Sequence, residues 1–489
     1  MGTLDKRLIA RGDLFLSRMV ENQTCIVRKL SKDWKEQMGF WRWLSNDKVS
    51  VNWLLGRIDQ SVSANASIKG CHVLSIQDSS TISFFSGIDR NKKGLSRVGT
   101  VGDMGGFILH PSLLLDADDG RCLGLGNLSI HNQWVSSVDE EAARNMAAEE
   151  KKTGRWLSTG EQVRAHLTEA QQVTHVADRE ADFYEMLLEF GQNRRKNEHL
   201  IVRVNQDRLL GQMQGRGRPR SNHEGDEQVQ TGLGLRISFP NRTPLSKLVE
   251  QLPVMALWTL NLPANPKRKA RLAQVKLRYA QQVPLRRPKN LYKRTYQAAP
   301  LPLFIRMNVI DLQEELPPGA DYQPLHWRIY TSHPLENNEQ AKQVIQWYCW
   351  RWKIELLFAS VKAKGLNLEF ALLEHAERLK KLAILVLMAA IQVIQLIQAR
   401  DGESKQSILG CFSKQEAELI RQINPKVEGN TLKQKNPHPS DSLAYAAWVI
   451  GRLGGWSGYK THRPPGIKTM ARGLERFFQI KNSARFFDP

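Results

Sequence analysis

Two short apolar segments that each end on an aspartate constrain the fold of this chain most strongly. Residues 72–78 are HVLSIQD, and residues 173–178 are VTHVAD. Brief apolar runs rich in β-branched residues and bounded by polar ones are typical of buried strands. The sequence therefore predicts two strands that present Asp78 and Asp178 at their ends.

A second feature is the arrangement of four polar side chains within WYCWRWKIELLFASVKAKG. Tyr348, Arg351, Glu355 and Lys362 are separated by three, four and seven positions. At roughly 100° per residue these spacings place all four within about a 60° arc of one helix face. Such a face isolates one acid among groups that bind phosphate oxygens, and this predicts a metal ligand beside a DNA backbone. In the alternative, Arg351 forms an ion pair with Glu355 one turn on, and Tyr348 only packs its ring.

Three carboxylates from separate elements match the needs of a phosphate-cutting metal site. A divalent cation that activates water requires oxygen ligands, commonly a few carboxylates together with the substrate phosphate. An aspartate at a strand end is more often a turn former or a helix cap. The prediction that Asp78, Asp178 and Glu355 act together therefore depends on their joint pattern.

The spacing of the helix motif resembles that of a known family, the DDE transposases of bacterial insertion sequences, in their cut-and-paste branch with hairpin intermediates. The signature of that branch is Tyr, two residues, Arg, three residues, Glu, six residues, Lys, and positions 348–362 reproduce it without a gap. Its second-acid motif resembles DREAD at residues 178–182. Its first resembles Asp78 with the hydroxyl residues 79–81. Further similarity lies in GGFILHPSLLLDADDGRCLGLG, EEKKTGRW, PLHWRIYTS and IGRLGGW.

The resemblance implies a chemistry and a set of roles. Asp78, Asp178 and Glu355 would hold two Mg²⁺ ions, with Mn²⁺ as a substitute, about 3.5 to 4 Å apart. Water would cut one strand, the freed 3′-hydroxyl would form a hairpin, and the same end would later attack target DNA. Trp327 lies 21 residues before Tyr348, the spacing of the family's base-stacking tryptophan. A buried core position is the alternative for Trp327.

Composition supports a nucleic-acid partner. The chain has 489 residues, a formal net charge of +21 and 24% charged residues, which predict several globular domains and a polyanionic ligand. The most apolar stretch, 382–397, is interrupted by Gln392 and Gln395 and predicts a buried helix instead of a membrane span. Five cysteines without a CxxC pair fit a reduced bacterial cytoplasm, where we expect a nucleoid-associated protein.

The order of predicted elements gives the fold class. We predict an α/β protein with an RNase H-like catalytic core, a β-rich insertion, a helical N-terminal DNA-binding domain and a helical C-terminal domain. The N-terminal domain is 1–70, and the core consists of 71–205 together with 326–374. The insertion is 206–325, and the C-terminal domain is 375–489. In the N-terminal segment, basic residues surround Phe40, Trp41 and Trp43, and this predicts recognition of DNA ends. An ordinary helical domain is the alternative.

The insertion separates the second and third acids. Between Asp178 and Glu355 lie 176 residues, and positions 267–294 hold eleven Lys or Arg and no acid. A basic run is often just a solvated surface. Beside a DNA-cutting site it also suits phosphate binding, and we predict DNA contacts by Arg286, Arg287 and Lys289.

The predicted function is therefore a transposase that acts on double-stranded DNA, both element ends and target, as a homodimer and away from membranes. A metal-dependent nuclease or resolvase would use the same acids without strand transfer. A DNA-binding regulator without catalytic activity is a further alternative. Such a protein would be expected to lack one of the three acids, and all three are present.

Overall fold

The computed structural model of the protein describes residues 5–84, 94–97, 105–132, 152–211, 227–232, 234–262, 270–291, 295–296, 299–317, 322–459 and 461–487. It is a mixed α/β structure around one large mixed sheet, as the sequence predicts. Residues 212–226 of the insertion and positions 267–269 and 292–294 of its basic run lie outside the described residues.

Four helices form the N-terminal region: α1 (Lys6–Asn22), α2 (Val27–Leu30), α3 (Trp34–Ser45) and α4 (Val51–Ser63). Side chains cap three of them, since Asp5, Asp33 and Ser50 accept hydrogen bonds from the first-turn amides of α1, α3 and α4. The predicted helical character of this region is confirmed.

The aromatic cluster of this region divides between core and surface. Phe40 stacks on Phe15 at 4.3 Å between ring centroids, and the Trp43 indole donates to the Leu8 carbonyl. Trp41 is 44% exposed and Trp34 is 67% exposed. The cluster is therefore partly structural, and recognition of DNA ends by this region stays a prediction.

The first five core strands of the sheet follow in the order β5, β4, β1, β6 and β7 across it. They are β1 (His72–Gln77), β4 (Gly105–Asp116), β5 (Cys122–His131), β6 (Gln172–Ala177) and β7 (Glu198–Arg203), with the short β2 (Ser80–Ser83) and β3 (Ser96–Arg97) also paired to β4. The pairs β1–β4 and β4–β5 are antiparallel, whereas β1–β6 and β6–β7 are parallel. Antiparallel strands followed by parallel ones are consistent with the predicted RNase H-like core.

Two helical segments connect the parallel strands. They are α5 (Gly154–His166), which precedes β6, and α6 (Tyr184–Met186), which continues as a π-helix over Leu187–Gln192 and leads to β7. The parallel strands are therefore joined through helical crossovers.

The segment 206–325 is β-rich, as predicted. It contains β8 (Glu227–Thr231), β9 (Arg236–Phe239), β10 (Ala256–Leu262), β11 (Arg271–Arg286), β12 (Thr295–Tyr296), β13 (Ala299–Pro300), β14 (Phe304–Glu314) and one helix, α7 (Leu245–Gln251). Its strands β14 and β11 continue the core sheet through β15 (His326–Thr331), which pairs with β7. The insertion is thus an extension of the core sheet.

The remaining helices are α8 (Asn338–Trp350), α9 (Lys353–Val361), α10 (Ala376–Ala399), α11 (Lys414–Val427), α12 (Leu443–Leu453) and α13 (Ile467–Phe487). Within the described residues, α10 alone is long and apolar enough to cross a membrane, and 72% of its most apolar window is buried inside the protein. Its Gln395 donates to the Cys122 carbonyl, and Gln398 accepts from the Cys122 amide. These polar groups tie α10 to β5, as expected of a core helix.

Candidate active site

Asp78 and Asp178 lie side by side at one edge of the sheet. Strands β1 and β6 pair in parallel with Ile76 opposite Val176. The chain leaves β1 after Gln77 and β6 after Ala177, so each aspartate is the first residue beyond its strand. Because the register is uniform, the two acids occupy equivalent positions on neighbouring strands. The sequence predicts each strand end, and the parallel pairing brings the two together.

The segment with Tyr348, Arg351 and Glu355 is not one uninterrupted helix. Helix α8 ends at Trp350 and α9 begins at Lys353. At the junction the amides of Arg351 and Glu355 bond to carbonyls three residues back, at 3.1 Å each. The backbone thus tightens locally into a turn of 3₁₀ character. The predicted continuous helix is wrong at this point, although the three side chains still face one region.

The Arg351 guanidinium lies between the two aspartates. Its Nη1 donates to Asp78 Oδ2 at 2.8 Å, and its Nη2 is 3.6 Å from Asp178 Oδ2. The Arg351 side chain is only 6% exposed, so this contact is shielded from water. Arg351 therefore forms its ion pairs with the two strand-end acids, and not with Glu355 as in the alternative.

Tyr348 completes this arrangement from the end of α8. Its hydroxyl donates to Asp178 Oδ1 at 3.4 Å, and the Arg351 guanidinium carbon lies 5.8 Å from the centre of its ring. Burial raises the pKa of the Tyr348 phenol to about 12. The phenol therefore keeps its proton at neutral pH and acts as a hydrogen-bond donor.

Electrostatics bring Glu355 into the same site. Burial raises the pKa of Asp78 to about 6, Arg351 and the Ser79 amide oppose this shift, and the negative charges of Glu355 and Asp178 add to it. Glu355 is therefore close enough to Asp78 for their charges to repel. The three predicted acids share one electrostatic environment.

The site offers the donor set of a divalent cation, namely carboxylate oxygens from three elements. Among the residues that the structure describes, no three His, Cys, Asp or Glu side chains lie close enough together to hold a metal ion. The Arg351 guanidinium instead provides the positive charge between Asp78 and Asp178. Arg351 thus lies between the two carboxylates where a cation would bind, and a metal site formed by the three acids stays a prediction.

Trp327 belongs to the core, the alternative that the sequence left open. The residue lies in β15, is 6% exposed, and packs edge-on against Tyr348 with 5.3 Å between ring centroids. In this conformation its faces are covered by protein, which favours the core alternative with Trp327 as a supporting contact behind Tyr348, and stacking on a base stays a prediction. The alternating burial of β15 explains the position, since Trp327 points to the same side as the buried Ile329.

Lys362 pairs with Glu369, which is not one of the three predicted acids. It follows the last residue of α9 with extended backbone angles, and its Nζ is 3.9 Å from Glu369 Oε1. The predicted common helix face therefore does not include Lys362. A phosphate contact by this lysine, whose side chain is 31% exposed, stays a prediction.

The predicted basic surface of the insertion is only partly a surface. Arg286 is 7% exposed and donates to Asn241 Oδ1 at 3.1 Å, and Arg287 is 8% exposed and donates to the Leu301 carbonyl. Both guanidinium groups are nearly buried and donate to acceptors inside the protein, and DNA contacts by them stay a prediction. Lys289 is exposed, and its prediction stands untested.

Three residues near the acids escaped the sequence analysis. Arg203, the last residue of β7, interacts with Tyr348 and with the charge of Asp178. Trp352, at the helix junction, is 44% exposed, and the Arg351 guanidinium carbon lies 5.4 Å from its ring centre. Arg155 binds the residue next to Asp78. Trp352 lies inside the motif stretch and Arg155 lies inside EEKKTGRW, so both had a sequence signal that could have revealed them, whereas Arg203 had none.

No family model matches the chain. Among solved structures, a piggyBac transposase synaptic complex with hairpin DNA, determined by cryo-electron microscopy, is similar to this chain with a TM-score of 0.33 and 9% sequence identity. The match covers 100% of this chain and 75% of that one. An identity and a TM-score this low do not assign the chain to a family.

Proposed function

We propose that the protein is a DNA transposase that cuts the ends of its element by metal-dependent phosphoryl transfer, through a hairpin, and joins the 3′-hydroxyl ends to target DNA. The observation that carries this proposal is the meeting of Asp78 and Asp178 around Arg351, beside Tyr348 and Glu355. These are the residues of the transposase signature, and they come from three distant parts of the chain. The sequence resemblance and the geometry thus support the same site.

Asp78, Asp178 and Glu355 would hold the metal ions, Mg²⁺ or Mn²⁺. When bound, such ions lower the pKa of a water molecule and neutralise charge on the phosphate and the leaving oxygen. The contact of Arg351 with both aspartates implies that the guanidinium must leave them when a cation takes its place. Its donors are then free for a DNA phosphate, which a planar guanidinium can bind in bidentate fashion.

The neutral Tyr348 phenol would orient the same phosphate. Its raised pKa, about 12, keeps the O–H available as a donor, and a phenolate would instead repel the phosphate. Arg203, within reach of Tyr348 and Asp178, adds a second cation on that side of the site. The proposed assignment is therefore two cations and one donor for the phosphate, and three carboxylates for the metal ions.

The proposal is tested with DNA from the ends of the element. Short inverted repeats beside the gene would supply the end sequence. An end-labelled duplex with Mg²⁺ should yield a nick, then a hairpin, and finally a joined product with a second duplex. Denaturing gels resolve all three species. Cleavage without a joined product would refute the transposase assignment.

The burial of Trp327 favours a second candidate, a metal-dependent nuclease. A hairpin requires a nucleotide to leave the helix, at a cost of a few kcal/mol that stacking on an aromatic ring offsets by about 1 to 3 kcal/mol. Trp327 does not offer a free face for such stacking. The nuclease candidate predicts that products stop at the nick or the double-strand cut, whereas the transposase candidate predicts that the hairpin follows.

A further inference from the structure

Arg155 connects the two loops that present the aspartates. It lies in the first turn of α5, and its side chain is 9% exposed. Its Nε donates to Ser79 Oγ at 2.8 Å, its Nη2 donates to Glu180 Oε2 at 2.6 Å, and its Nη1 donates to the Lys152 carbonyl. Ser79 directly follows Asp78, and Glu180 is two residues after Asp178.

On the first loop, Ser79 is held from two sides. Its amide donates to Asp78 Oδ1 at 2.8 Å, so the position of Ser79 also fixes that carboxylate. Its hydroxyl lies 2.8 Å from His110 Nδ1 while it accepts from Arg155. The hydroxyl hydrogen is therefore left to donate to His110 Nδ1.

His110 extends this chain of hydrogen bonds into the core. The imidazole is fully buried beside Trp156, with 4.6 Å between ring centroids, and burial lowers its pKa well below the usual value, so it is neutral. With Nδ1 as acceptor, Nε2 carries the hydrogen and points to Gln77 Oε1 at 3.3 Å. One direction of donation, from Arg155 through Ser79 and His110 to Gln77, thus gives each of these three hydrogen bonds one donor and one acceptor.

On the second loop, Arg155 acts through a short 3₁₀ helix. Residues Arg179–Ala181 form this helix, and the Ala181 amide donates to the Asp178 carbonyl at 3.0 Å. Glu180 is 66% exposed, so its ion pair with Arg155 contributes little to stability. The pair does restrict where the loop after Asp178 lies relative to α5.

We propose that Arg155 is a positioning residue that fixes the loop after Asp78 against the loop after Asp178, and so sets the separation of the two metal-binding carboxylates. The proposal rests on the proposed function for its metal ions, and on the structure alone for the coupling of the loops. A phosphate contact is the competing role for an arginine near the site. Against it, all three guanidinium nitrogens already donate to protein acceptors and the side chain is nearly buried.

The main test is Mn²⁺ binding to the full chain without DNA, measured by calorimetry for Arg155→Gln, Ser79→Ala and the double variant. Removal of a group that orients metal ligands commonly weakens metal binding by about 10- to 100-fold. We expect losses of this size for each single variant and, in the double variant, no loss beyond that of Arg155→Gln, because the bond that Ser79→Ala removes is already absent in Arg155→Gln. Arg155→Lys keeps the positive charge but loses the planar set of three donor nitrogens, so its Mn²⁺ affinity should resemble that of Arg155→Gln.

The matched control is Arg164→Gln on the same helix. Arg164 is also nearly buried and bonds to two carboxylates, Glu189 and Glu198, on the side away from the site. This variant should lower the melting temperature without changing the Mn²⁺ affinity. An equal loss of affinity in the control would mean that general loosening of α5, and not positioning, explains the result.

A second measurement keeps the proposal testable without metal. Hydrogen exchange of the metal-free protein should become faster in both 77–81 and 178–182 in Arg155→Gln, and in neither segment in Arg164→Gln. Faster exchange in one segment alone would overturn the coupling. If wild-type protein binds no Mn²⁺ and cuts no DNA while exchange behaves as expected, the proposed function fails and the coupling survives. Unchanged Mn²⁺ affinity together with weaker end binding and a reduced salt slope would assign Arg155 to a phosphate.

Discussion

The junction of α8 and α9 and the end of β11 both place arginines inside the protein, yet with different partners. Arg351 contacts two carboxylates, Asp78 and Asp178, whereas Arg286 and Arg287 donate to an amide oxygen and a backbone carbonyl. The place of Arg351 in the site was predicted from the spacing of residues along the motif. DNA contacts by Arg286 and Arg287 were predicted from the local density of positive charge. Spacing reports which side chains can face a common partner, while charge density does not report whether a side chain is exposed.

The largest expected effect is the loss of one of the three acids of the candidate site. Asp78→Ala, Asp178→Ala or Glu355→Ala should reduce strand cleavage by at least about 10³-fold, equivalent to about 4 kcal/mol of activation free energy. The affinity for the end duplex should stay close to that of wild type, because phosphate contacts are retained. Nicking and mobility-shift assays on the same duplex measure both. A variant that cuts like the wild type would remove that acid from the site.

The two tryptophans beside the junction should behave differently. Trp327→Ala removes a buried ring and should destabilise the protein by about 3 to 5 kcal/mol, with nicking and hairpin formation falling together. Trp352→Ala removes a ring that is 44% exposed and should leave the melting temperature nearly unchanged. Thermal unfolding and denaturing gels measure these outcomes.

If Trp352 stacks on an extruded base, its loss should slow hairpin formation alone, by roughly five-fold to a hundred-fold. The nicked species should then accumulate. The opposite pattern, a stable Trp327→Ala protein that accumulates nicks, would restore the stacking role to Trp327 and contradict its assignment to the core.

The pH dependence of stability should single out Asp78. Its pKa in the folded protein, about 6, is raised above the ordinary value of 3.8, so the folded state binds the proton more tightly than the unfolded state does. Stability from this group is therefore present at low pH and is lost as the pH rises from about 4 to about 6, by a few kcal/mol at most. Chemical unfolding of metal-free protein at several pH values measures it. Asp78→Asn should flatten this dependence, and an unchanged profile would contradict the burial of a charged Asp78.

Arg351 and Arg286 are both buried, and their replacement should affect different properties, metal binding for Arg351 and stability for Arg286. Arg351→Gln removes the cation between the aspartates and should tighten Mn²⁺ binding without DNA, roughly ten-fold or about 1.4 kcal/mol. Arg286→Gln should leave Mn²⁺ affinity unchanged and lower the free energy of unfolding by about 1 to 3 kcal/mol, since it disrupts a buried hydrogen bond. Weaker Mn²⁺ binding in Arg351→Gln would mean that this arginine supports the carboxylates instead of competing for them.

The smallest effect is expected at Lys289, the exposed member of the basic run. If it binds a phosphate, Lys289→Ala should lower the slope of log affinity against log salt by about 0.9. Arg286→Ala should not change that slope. Mobility shifts at several salt concentrations compare the two, and identical slopes for Lys289→Ala and wild type would leave the run as a solvated surface.

Local patterns in the sequence were sufficient to predict the strands that end at the candidate site and the long buried helix. The apolar runs before Asp78 and Asp178 predicted β1 and β6, and the polar interruptions at Gln392 and Gln395 distinguished α10 from a membrane span. The insertion was predicted to be β-rich, but its continuity with the core sheet depends on the pairing of β15 with β7. Pairing between strands that are distant in the chain leaves no local pattern in the residues of either strand.

The sequence by itself determined which residues meet at the candidate site, because the spacings of Tyr348, Arg351 and Glu355 and the two strand-end acids are local properties of the chain. Only the tertiary structure decided how they meet: the parallel register of β1 and β6 aligns the acids, and the tightened junction directs Arg351 between them. It also decided which of the predicted DNA-binding side chains are exposed. Burial depends on what packs against a residue, and for Trp327, Arg286 and Arg287 those neighbours come from distant positions in the chain.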